Sequence, residues 1–200
     1  MKHIKSVKAG LGAFCCGVIG ILSVYGYVQR KPIDTPLPVL QVHGDSILYG
    51  TLSNLEQSAD IIALVRPIGL FLDREHVNTF YSDGTIQDFY TKSQVAVEKV
   101  FKDDRGAIGT KKIFTIIEPV GLVKQKDKKL KLQVEGYNET EYGKSYLVFL
   151  KSNGMGGYSI INMNNGKILS NKLQEKANDV EEVTSSGLKV RDEIRRKYKM

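Results

Sequence analysis

Between Asp88 and Lys102 the side chains alternate: Phe89, Thr91, Ser93, Val95, Val97 and Phe101 fall on one side of an extended backbone, and Tyr90, Lys92, Gln94, Ala96 and Glu98 on the other. A pleated strand imposes a period of two, which a helix cannot match. A strand this long twists as it runs, and in a small domain it bends around a barrel or a sandwich. This one segment therefore directs the search toward a mainly β fold.

The neighbouring segments agree with that reading. Asp60–Arg66 (DIIALVR) is an apolar run halted by Pro67, as expected of a strand covered on both faces. Turn chemistry at Lys102–Gly106 leads into a strand over Lys111–Glu118, which Pro119 and Gly121 interrupt. Tyr146–Leu150 (YLVFL) is another buried run. Tyr158–Met163 and Lys167–Ser170 flank Asn164, Asn165 and Gly166, and the Asn-Gly pair predicts a tight hairpin turn. Ser53 to Glu56 reads as a capping box opening a short helix that ends near Ser58. From Leu173 the residues favour a helix, with Val190, Ile194 and Tyr198 four apart on one face and Lys189, Arg191, Arg195, Arg196, Lys197 and Lys199 elsewhere on it. The expected class is mainly β: a small antiparallel OB-like barrel with a short helix before it, a C-terminal helix and one N-terminal transmembrane helix.

That last element comes from Ala9–Val28, 20 residues without a charge, enough to cross a bilayer at the helical rise of about 1.5 Å per residue. Lys2, Lys5 and Lys8 precede it, and Tyr25 and Tyr27 lie at its far end, the pattern of a cytoplasmic N-terminus and an interfacial aromatic belt. A retained anchor is preferred to a cleaved signal peptide because the run exceeds the usual length of a signal core and no Ala-x-Ala follows. The chain then divides into a cytoplasmic tip and anchor (1–31), a Pro-rich stalk (32–39), a barrel domain (40–172) and a helical tail (173–200). The domain is expected outside the cell, in a single-pass protein of the cell membrane.

The net charge of +7 suggests nucleic acid, but its distribution argues otherwise. Five of the 29 basic residues lie in the first 31 positions, where no acid occurs, which leaves 24 bases against 22 acids. No concentrated basic stripe remains to grip phosphates, so nucleic acid is excluded as a partner. Both cysteines, Cys15 and Cys16, fall within the apolar run, and the soluble part can form no internal disulfide.

With these elements placed, the series Ser58–Val65 (SADIIALV), Val95–Lys102 (VAVEKVFK), Gly143–Leu150 (GKSYLVFL) and Gly157–Ile161 (GYSII) resembles uncharacterised membrane-anchored extracytoplasmic proteins of Gram-positive bacteria. More distantly it is similar to netrin-like modules, whose OB-type barrel also occurs in tissue inhibitors of metalloproteinases. The resemblance spans Leu52 to Ile168 and implies a fold and a location. The inhibitors act through a disulfide-tethered cysteine that this domain lacks, so none of their functional residues carries over.

Catalytic motifs are missing from the sequence. Ser46 has no Gly-x-Ser-x-Gly setting, and Gly154–Gly157 lacks the lysine and helix of a phosphate loop. The one acid/base or metal candidate is Asp73, Glu75 and His76, read as a charged loop; the other histidine of the soluble part, His43, is 33 positions away. The reading that follows is an anchored binding or interaction module, monomeric, without cofactor, with a protein or cell-surface ligand. The alternative is a tethered metal-dependent or acid/base hydrolase using Asp73, Glu75 and His76. On the first reading His76→Ala is expected to leave folding and activity intact.

Overall fold

The alternation read from Asp88 to Lys102 is one strand of 18 residues, Ile86–Asp103. The computed structural model describes residues 37–44, 46–125, 128–154, 156–170 and 185–199. In chain order the strands are β1 (Val39–Val42), β2 (Ile61–Pro67), β3 (Glu75–Phe80), β4 (Ile86–Asp103), β5 (Ile113–Glu118), β6 (Val120–Gln125), β7 (Lys128–Val134), β8 (Tyr146–Ser152), β9 (Tyr158–Ile160) and β10 (Lys167–Leu169). Two helices join them, α1 (Leu52–Ser58) and α2 (Ser185–Tyr198). The anchor and most of the stalk, with the first part of the tail from Leu173, lie outside the described residues. Among the described residues no helix is long and apolar enough to cross a membrane.

Five strands close a barrel. β2 pairs antiparallel with β4 and β8, β4 pairs with β5, β8 pairs with β9, and β9 returns to β5 in parallel through Ile117 and Ser159. This order, with one parallel pair among antiparallel ones, is consistent with an OB-like barrel. Closure removes the exposed edges an open sheet would carry. Inside lie Ile61, Ala63, Val65, Val95, Phe114, Ile116, Val148 and Leu150, all buried. Each aliphatic side chain removed from water contributes about 2 kcal/mol before chain entropy is counted.

β4 is long enough to pair with three strands of its sheet. Its first half also pairs with β3 as a hairpin reaching beyond the barrel, and its second half wraps along β2. The wrap needs two β-bulges, which leave Phe101 and Glu98 without a counterpart on β2. The bulges shift the alternation, so Phe101 leaves the inner face and meets the Tyr198 ring edge-on at 4.9 Å. A second sheet, β1-β7-β6, packs against the β3–β4 hairpin. It comes close where β6 crosses β4: a Cβ on Gly121 would stand 3.3 Å from the Phe89 ring.

A second core forms outside the barrel. The outward residues of β2 and β8, Ile62, Leu147 and Phe149, meet Leu52 and Leu55 of α1 and Val190 and Ile194 of α2. The four-residue spacing of Val190, Ile194 and Tyr198 is therefore the buried face of the C-terminal helix, as expected. α1 starts earlier than the capping box suggested: Thr51 is the N-cap, and its hydroxyl accepts the Asn54 N–H at 3.2 Å.

Three expectations are corrected. The Asp73–His76 segment is no loop, since β3 begins at Glu75. β6 and β7 fill a stretch for which no strand was expected. Asn164, Asn165 and Gly166 do not make a two-residue hairpin: β9 and β10 both pair with β8, and a 3-10 turn over Met163–Gly166 joins them. The positive φ angles fall on Asn162 and Met163. Gly166 is needed for space, because a Cβ there would collide with the carbonyl oxygen of Ile161.

Both cores lie within Leu37–Met200. A fragment starting at Leu37 is expected to unfold cooperatively with a strand-dominated far-UV circular dichroism spectrum. Ile194→Ala, which opens the outer core, should lower its stability by about 2–4 kcal/mol in urea titration.

Candidate functional site

Asp73 and Glu75 line one polar cleft, but His76 is not among the residues that line it. Asp73 ends the 3-10 turn Phe71–Asp73, while Glu75 and His76 are neighbours on β3 and so point to opposite faces. Glu75 faces solvent and accepts from Lys92 Nζ at 2.6 Å, an ion pair that raises the Lys92 pKa above its ordinary value. His76 is half-buried, its Nδ1 lying 2.8 Å from Thr91 Oγ1 and its Nε2 2.9 Å from the Phe71 carbonyl, with the ring edge-on to Phe71. Among the described residues no three His, Cys, Asp or Glu side chains are grouped to hold a metal ion. His43 lies apart, exposed, 2.9 Å from Glu135.

These contacts revise the view of His76 as a dispensable loop residue. Burial holds its pKa below the ordinary 6.5; the bond to the Phe71 carbonyl opposes the shift, and the charges of Arg74 and Lys129 add to it. In the neutral ring, Nε2–H donates to Phe71 and Nδ1 accepts. The Thr91 hydroxyl then faces two acceptors, Nδ1 and the Val120 carbonyl at 2.5 Å.

The residue between the two acids carries the strongest polar structure in the molecule. Arg74 is 3% exposed and Glu118 0%, and Arg74 Nη1 donates to Glu118 Oε1 at 2.8 Å. The other guanidinium hydrogens reach the carbonyls of Gly69 (3.1 Å) and Thr140 (2.6 Å). Glu118 Oε1 also accepts from Ser93 Oγ (2.5 Å) and Thr140 Oγ1 (2.9 Å), and Oε2 accepts from Tyr137 OH and the Thr140 N–H, each at 2.7 Å. Burial first, and then the Glu118 charge, pushes the Tyr137 pKa well above its ordinary value, so the phenol stays a donor. Arg74 also lines that polar cleft, of about 430 Å³, with Gly69, Asp73, Glu75, Lys92, Gln94 and Thr115. A sequence signal existed: Glu118 shares strand parity with the buried Phe114 and Ile116.

A different place has the form of a binding site. A groove of about 450 Å³ opens where the start of β4, the end of β5 and β9 meet. Phe89, Ile117, Pro119 and Ile160 line it from the sheets, Ile47 and Tyr49 from the crossing segment 46–49, and Ile161 and Met163 from the turn. Asp88, Lys151 and Asn153 stand among its polar groups. The crossing segment is tied down: Asn162 Oδ1 accepts the Tyr49 N–H at 2.9 Å and its amide nitrogen donates to the Tyr49 carbonyl at 3.4 Å. Asn162 does this from a left-handed backbone (φ 62°), followed by a second such residue, Met163 (φ 50°). Two successive non-glycine residues in that region cost about 1–3 kcal/mol each, and such conformations concentrate at ligand clamps. Sequence reasoning missed this groove entirely.

Compared with models of known protein families and with curated proteins, the sequence matches none.

Glu118→Ala leaves a buried guanidinium unpaired and is expected to cost about 3–5 kcal/mol in urea unfolding, and Arg74→Met with Glu118→Leu should remain destabilised because Tyr137 and the Thr140 N–H lose their acceptor. For His76, the folded pKa lies below the unfolded 6.5. Its stabilising contribution is therefore full above that value and is lost as pH falls through the lowered folded one. Thermal unfolding of the wild type should weaken more than that of His76→Gln between neutrality and about pH 5.

Proposed function

We propose that this chain is a membrane-anchored, extracytoplasmic binding module that takes its ligand in the groove at the junction of β4, β5 and β9. The groove carries the reading: a concave, mainly apolar surface with a few polar groups, of the size that holds a small ligand or a few side chains. Its wall is held by the Asn162 clamp rather than by hydrophobic contact alone. Barrels of this kind commonly bind through the loops around them. The anchored location rests on the uncharged run Ala9–Val28 and its flanking lysines, and on the resemblance to anchored surface proteins. Glu75 and His76 lie on opposite faces of β3, and the cleft that Asp73 and Glu75 share is lined by no histidine, which gives the hydrolase reading less support than the groove.

The apolar dye anilinonaphthalene sulfonate, whose sulfonate suits Lys151, tests the groove. One saturable site is expected on the wild type, weakened at least about tenfold in Ser159→Trp, which fills the groove; that factor corresponds to about 1.4 kcal/mol. Equal dye binding by a Ser159→Trp variant with a native circular dichroism spectrum would remove the groove from the proposal. Protease added to intact cells should digest the domain, and full protection would refute its external location.

A further inference from the structure

The β3–β4 and β6–β7 hairpins point the same way. His76 on β3 reaches the Val120 carbonyl through Thr91, and two residues on, Asn78 Nδ2 donates to the Leu122 carbonyl at 2.9 Å. The two strands therefore advance in step, and Phe80 and Tyr81 at the end of β3 lie toward Lys124 at the end of β6. Phe80 is 50% exposed and Tyr81 56%. Lys124 stands directly opposite Lys129 in the β6–β7 register, and Lys128 is one pair further on. Like charges facing each other across a strand pair are destabilising. Among the described residues none of these three lysines has an acidic partner; Asp83 in the β3–β4 turn accepts from Thr85 and keeps its negative charge.

The chain also enters the domain at this end. β1 runs parallel to β7 with Val39 opposite Lys131, and the Lys131 N–H donates to the Pro38 carbonyl at 2.9 Å. Lys131 is the middle residue of β7, three positions from its start at Lys128. Exposed Val39 therefore stands two positions along β7 from Lys129, and the chain before it comes from the hairpin's turn side. Only eight residues, Gln29 to Pro36, separate the uncharged run from Leu37, a contour under about 30 Å.

We propose that the paired hairpin ends form a docking surface for anionic phospholipid, with Phe80 and Tyr81 entering the interfacial layer and the cross-strand pair Lys124 and Lys129 meeting the headgroups. Exposed aromatics suit that layer, and lysines suit the negative potential of an anionic leaflet. The unbalanced cross-strand lysines become favourable once phosphate lies over them. The inference rests on the anchored reading only for what brings the domain to the bilayer.

The chain contains no tryptophan, so Tyr81→Trp gives a single reporter. The full chain carrying it is reconstituted with vesicles of phosphatidylcholine alone or with added phosphatidylglycerol, and followed by flotation and by quenching with brominated acyl chains. In anionic vesicles the reporter's emission should shift to the blue and be quenched, and high salt should reverse both effects. Lys124→Gln with Lys129→Gln should lower the ratio of docked to undocked domain about 30-fold, from roughly 1 kcal/mol per lysine. Flotation with both vesicles but identical, unquenched tryptophan emission in each overturns the docking surface and leaves the anchor standing. Flotation only with anionic vesicles, accompanied by the shift, overturns the anchor and supports the docking surface. Flotation with neither overturns both.

Discussion

Arg74 and Glu118 form an ion pair with almost no access to water, and the way the chain packs at that end of the barrel depends on it. Removing two charges from solvent costs several kcal/mol per ion, offset only if the remaining hydrogen-bonding capacity is also met. Here it is met by four separate stretches of chain. Gly69 belongs to the connection after β2, Ser93 to β4, Glu118 to β5, and Tyr137 and Thr140 to the connection after β7. Apolar contacts could hold these stretches together in several ways, but five bonds converging on one carboxylate allow far fewer.

How much of this was legible follows from which force dominates each segment. β2, β4 and β8 could be read because their apolar runs and alternation are long enough to exceed local noise. β7 reads KKLKLQV, and Leu130, Leu132 and Val134 alternate correctly, yet the lysines between them give the stretch the look of a solvated loop. β9 and β10 lie within the two runs read on either side of the Asn-Gly pair, whereas β1, four residues long, owes its form to its neighbour β7. The Asn164–Gly166 turn was misread because local φ preference was taken to decide it, while close packing against Ile161 and the pairing of both flanking strands with β8 did.

The sites were less legible than the fold. Asp73, Glu75 and His76 looked like one cluster because sequence distance was read as spatial distance, and strand geometry puts His76 on the face opposite Glu75. The groove gathers residues from segments more than a hundred positions apart, such as Ile47 and Ile161, and none is unusual where it stands. Only Glu118, an acid on the inward parity of an apolar strand, and Arg74 near it carried a signal that a stricter reading of the alternation would have caught.

The barrel has a seam. On most sides neighbouring strands share several residue pairs, but β5 and β9 meet at one, Ile117 with Ser159. Both residues line the groove. An occupant there would bridge the narrowest join in the cylinder, so its affinity and the opening of that join are one thermodynamic quantity seen from two sides. The amides of Tyr158 to Ile160 would exchange with solvent more slowly as the site fills, reporting occupancy whatever the ligand's identity.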